Sequence, residues 1–91
     1  MLVLPATLTH DEATPSLRML MQGLRSQPEG TVVVDASALD RFDSSALAVL
    51  LECRRESMAM GRAFAVRGLP TRLAALARLY GIGELLPAPA A

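Results

Sequence analysis

The stretch "DASALDRFDSSALAVLLE", residues 35–52, decides how this chain is read. An apolar β-branched run, "TVVVDAS", stops there. Two aspartates follow, Asp40 and Asp43, then the pair Ser44 and Ser45, then a long Ala/Leu segment. A strand that hands over to a helix through such a turn leaves backbone N–H groups free at the helix start. Asp and Ser are the residues that cap those groups, so Asp43 or Ser44 fits a simple N-cap. One cap needs one residue, however, and here two hydroxyls follow an aspartate. The helix beyond is apolar at every position from Ala46 to Leu51, wider than one buried stripe requires. Part of it either meets another protein or is buried within the fold.

The rest of the chain arranges itself around this turn. "LVLPATLT" is β-favouring but interrupted by Pro5, which cannot donate to a ladder, so it forms an edge strand or two short pieces. Leu17, Leu20, Met21 and Leu24 recur at i, i+3, i+4 and i+7, the spacing of a helix face. Two starts fit that helix: a capping box from Thr9 to Glu12, or Thr14 as N-cap with Pro15 at the first helical position. "SQPEG" reads as a turn. The continuous Val run of "TVVVDAS" predicts a central strand buried on both faces. A second helix is expected over 44–60, ended by Gly61. "RAFAVRG" reads as a strand, and a third helix is expected over 70–80 with Gly81 just past its end. "IGELLP" forms a short closing element, and residues 88–91 a disordered tail.

The order β, α, β, α, β, α implies crossover connections. The fold class is α/β, with a small mixed sheet containing parallel pairs and covered by helices.

Composition narrows the function. At 91 residues the chain is one small domain, or a subunit that leans on a partner. Net charge is zero and every basic residue is Arg, so no electrostatic footprint for nucleic acid or anionic lipid is present. No signal peptide and no apolar run near the ~20 residues of a membrane span are seen, so a cytoplasmic protein without membrane insertion is expected. The single Cys53 forms no internal disulfide and reads as a small core residue. His10 has no local nucleophile partner and reads as a surface or turn histidine. No spacing suits a metal and no phosphate-binding loop occurs, so neither cofactor nor metal is expected and the chain is read as a non-enzyme. Met58 and Met60 read as packing residues. Tyr80 fits an interface anchor or helix-end packing.

The segment from Val32 onward resembles the STAS family, named for sulfate transporters and anti-sigma factor antagonists. The resemblance is carried by Asp35, Ser37, Leu39, Asp43, Ser44, Ser45 and Leu47, in the pattern apolar strand, D-x-S-x-L-x-x-x-D-S-S, helix, strand, helix. It implies a STAS domain over residues 1–87. It departs at Ala46, where the family usually has Gly. The C-terminal "LAALARLYGIGELLP" is similar to the small STAS subunit of the Mla lipid-asymmetry transporter. That likeness implies a non-catalytic subunit that binds and supports the ATPase of a phospholipid ABC transporter maintaining outer-membrane lipid asymmetry. Such a subunit is cytoplasmic and peripheral to the inner membrane through its complex. The resemblance places the partner contact at Asp43, Ser44, Ser45 and Leu47, with Ser44 at the position that matters for the ATPase. The alternative it implies is an anti-sigma factor antagonist, phosphorylated on Ser45 by an anti-sigma kinase. The Ser pair fits both; the C-terminal pattern favours the transporter.

Overall fold

A computed structural model describes residues 2–26 and 29–89. Its elements, in order, are β1 (Leu2–Val3), β2 (Thr7–Leu8), α1 (His10–Ser26), β3 (Val32–Asp35), β4 (Arg41–Phe42), α2 (Ser45–Ala59), β5 (Phe64–Arg67) and α3 (Thr71–Leu79), closed by a 3₁₀ turn at Gly83–Leu85. The expected α/β architecture holds. All described strand pairs are parallel rather than mixed, and they fall into two small sheets, ordered β1-β3-β5 and β2-β4.

The Val run forms the middle strand. Val34 lies in register with Leu2 on one side and Val66 on the other. Leu2, Val32, Val34, Phe64 and Val66 are all buried and belong to one core cluster. Val33 points to the opposite face and is only half-buried, as is Asp35. Burial of the run on both faces is therefore corrected: β3 alternates, because the second face of this small sheet is only partly covered. Pro5 sits where the chain leaves the first sheet for the second. Leu4 N–H bonds Asp35 O before it, and Ala6 O accepts from Asp40 and Arg41 N–H after it. A residue without an N–H costs no ladder bond at such a crossing.

The Glu12 half of the expected capping box decides the start of α1, while the Glu12 N–H bonds the Thr9 carbonyl rather than its hydroxyl. The Thr9 hydroxyl and N–H both donate to Glu12 Oε1, at 2.6 and 2.9 Å. The helix thus begins four residues before Thr14, and Pro15 lies inside it on the exposed side. Leu20 and Leu24 are buried and Leu17 and Met21 half-buried, the expected face. Helix α2 packs on α1 and on β5. That double contact accounts for its wide apolar surface: Ala46, Leu47, Val49, Leu50 and Cys53 are all in the core, and only Ala48 of the run is exposed. Gly61, at φ +69°, ends α2 in a Schellman turn, with Gly61 N–H on Met58 O and Arg62 N–H on Ser57 O. The closing segment lies along β5, where Val66 N–H bonds Pro87 O.

Gln27 and Pro28 of the expected turn, and Ala90 and Ala91 of the expected tail, lie outside the described residues.

Candidate functional site

The turn 36–44 leaves the carboxyl end of β3 and enters α2. Its first half is fixed by Asp35. The Ser37 hydroxyl and the Ser37 N–H (2.9 Å) both donate to Asp35 Oδ1. The hydroxyl first, then the N–H, hold the Asp35 carboxyl below its ordinary value. Gly68, just past β5, comes up against Ser37 from the other side. The second half is pinned by β4, whose Arg41 and Phe42 pair with Thr7 and Leu8. The Arg72 guanidinium, at the start of α3, lies 4.9 Å from the centroid of the Phe42 ring, a cation–π contact that ties α3 to the turn.

Asp43 is the cap of α2. Its Oδ1 accepts the Ser45 N–H at 2.8 Å, and its backbone carbonyl accepts the Ala46 N–H at 3.1 Å. Its Oδ2 accepts the N–H of His10, the first residue of α1, at 3.1 Å. The Ser45 N–H is the main cause that lowers the Asp43 carboxyl below its ordinary value; the His10 N–H and the Ser45 hydroxyl act in the same direction. Of the two candidates for the cap, the side chain of Asp43 takes the role. Ser44 lies in right-handed helical backbone, exposed, and its side chain makes no capping bond.

The expected contact residues therefore separate. Ser44 is on the surface beside Asp40, Arg41 and Asp43, all exposed. Ser45 is half-buried beside the Asp43 carboxylate. Leu47 is a correction: it is 2% exposed and part of the core, so its side chain offers no surface to a partner. Ala46 is fully buried, so its methyl group faces the core and not the contact surface.

Three participants escape a reading along the sequence. The His10 amide and the Arg72 side chain reach the turn only through the fold, with no local signal. Gly68 stands in a "RGLP" turn that gives no hint of Ser37.

Elsewhere, Met58 and Met60 are 56% and 38% exposed, which corrects their reading as packing residues. Tyr80 is 57% exposed, beside Leu79, so it does not pack the helix end. Cys53 is buried in the core, and that burial pushes its thiol up to about 12. Among the described residues no group of three or more His, Cys, Asp or Glu side chains gathers as a metal set. Among them, too, no helix is long and apolar enough to cross a membrane.

A family model described as "Mlab, STAS domain" matches residues 1–87. A comparison with curated proteins gives no match.

Proposed function

The chain belongs to the STAS domain family, and from that premise we propose that it is a non-catalytic subunit that docks through its Ser44 turn on the cytoplasmic ATPase of an Mla-type phospholipid ABC transporter. STAS domains are in general interaction and regulatory modules rather than enzymes. The observation that supports the docking reading is the division of labour at the turn. Asp43 already caps α2, which leaves the exposed Ser44 hydroxyl without a structural task there. The likeness of "LAALARLYGIGELLP" to the transporter subunit supports the ATPase rather than an anti-sigma kinase as the partner. In this reading the protein is cytoplasmic and reaches the inner membrane through its complex, and it takes part in maintaining outer-membrane lipid asymmetry.

Size-exclusion chromatography of the chain mixed with the cognate transport ATPase tests the reading. A stable complex is expected. A chain that ignores the ATPase and binds an anti-sigma kinase at micromolar concentration overturns it.

A further inference from the structure

One carboxylate serves two helices whose first residues are far apart in sequence. Asp43 Oδ1 holds the Ser45 N–H of α2, and Oδ2 holds the His10 N–H of α1. The N–H of a helix's first residue has no acceptor within its own helix. Thr9, just before the helix, is placed as a cap for the second or third N–H rather than the first, and the His10 N–H bonds Asp43 Oδ2 instead. The entry of α1 is thus capped from outside, by the turn that presents Ser44.

We propose that Asp43 is a positioning residue: it locks the first turn of α1 to the Ser44 turn, so that a partner docking on Ser44 meets both helix ends as one rigid surface. This rests on the docking reading above. Capping α2 needs only one carboxylate oxygen; the second is turned on α1. The Glu12 carboxylate faces the same junction and is repelled by Asp43. N–H donors and the positive ends of two helix dipoles hold both carboxylates in place. Releasing the His10 N–H from Asp43 frees the two helix starts from this bond and leaves the core beneath, where Leu47, Val49 and Leu50 are buried, in place.

Two substitutions separate this role from simple capping. Asp43→Asn keeps a residue that caps about as well as Asp. Its amide nitrogen donates and cannot accept a second N–H. The variant keeps one bond, and the local one to Ser45 is the natural survivor. His10→Pro removes the N–H from the other side. Pro suits the first position of a helix, so α1 and the whole motif turn stay intact. His10→Ala, which keeps the N–H, is the control.

The experiment combines residue-by-residue amide exchange by NMR with affinity for the cognate transport ATPase, on the full chain, at a temperature where every variant is folded. In Asp43→Asn, exchange at His10 is expected to rise about tenfold, the size of one charge-assisted hydrogen bond lost. Amides in the body of α2 should be unchanged. Asp43→Asn should bind the ATPase about tenfold more weakly than wild type, and His10→Pro about tenfold more weakly than His10→Ala, a comparison that isolates the N–H from the side chain. Unchanged exchange at His10 in Asp43→Asn overturns the bridge. Equal affinity of His10→Pro and His10→Ala overturns the positioning role. A wild-type chain that does not bind the ATPase, with His10 still protected, sinks the docking reading and the positioning role with it, while the bridge stands.

Discussion

Gly68 and Ser37 touch so closely that a Cβ on Gly68 would lie 2.8 Å from the Ser37 Cβ and 3.2 Å from its backbone. Gly68 also has φ +67°, which an L side chain rarely adopts. The contact brings the end of β5 against the first residues of the motif turn. Gly68→Ala is therefore expected to lose about 2 kcal/mol or more, from backbone strain plus overlap with atoms that cannot swing aside. Adding Ser37→Gly removes the nearest of those atoms. The double variant should recover part of the loss, a coupling that urea denaturation of all four proteins would show.

Arg62 is buried at the opposite end of the fold. Its Nε donates to Gly30 O at 2.8 Å, Nη1 to Leu24 O at 3.2 Å and Nη2 to Glu29 O at 3.1 Å. One guanidinium thus joins the end of α1 to the turn before β3. Arg62→Ala strands those carbonyls and should cost about 2 to 3 kcal/mol. Arg62→Lys should recover only a small part, because an ammonium cannot reproduce the planar fork. Denaturant midpoints of the two variants check this.

The Cys53 thiol, buried and pushed up to about 12, holds little thiolate at neutral pH. A disulfide reagent at pH 8 should label the native protein only as fast as it unfolds, and label it at once in denaturing urea. Rapid labelling of the native protein would place Cys53 outside the core.

Asp35, Asp43 and Glu12 all have carboxyls lowered in the folded protein, from ordinary values of 3.8, 3.8 and 4.5. A lowered folded value means that the charged form favours folding. That contribution is complete above the ordinary value and is lost as pH falls through the folded one. The thermal midpoint should be level from about pH 7 to 5 and drop below about pH 4. Asp43→Asn should show a shallower drop, since it removes one of the three groups.

What the sequence discloses follows from the range of the forces involved. The Val run, the Leu17–Leu24 face and the glycine stops are set within a few residues, so the central strand and the helix ends are legible. The α1 start needed one further fact: two bonds from Thr9 to Glu12 outweigh the helix-start preference of Pro15. Strand β4 has only two residues and no periodicity of its own; it exists because β2 lies alongside. The division of roles between Asp43 and Ser44 also depends on a distant group, the His10 amide. Leu47 looks like the tail of the contact motif, yet α2 is covered by both α1 and β5, which turns that position inward. Arg62 looks like any other surface arginine until the carbonyls of Leu24, Glu29 and Gly30 close around it.

The central claim is that Ser44 is a contact group and Asp43 the structural cap. It is tested most directly by measuring the affinity of Ser44→Ala for the cognate transport ATPase, beside the stability of the free variant. A hydroxyl that caps nothing should cost less than about 0.5 kcal/mol of folding stability when removed, while the complex weakens well beyond that amount. An unchanged affinity, with a stability loss of about 1 kcal/mol as for a lost N-cap, would contradict the account and return Ser44 to a purely structural role.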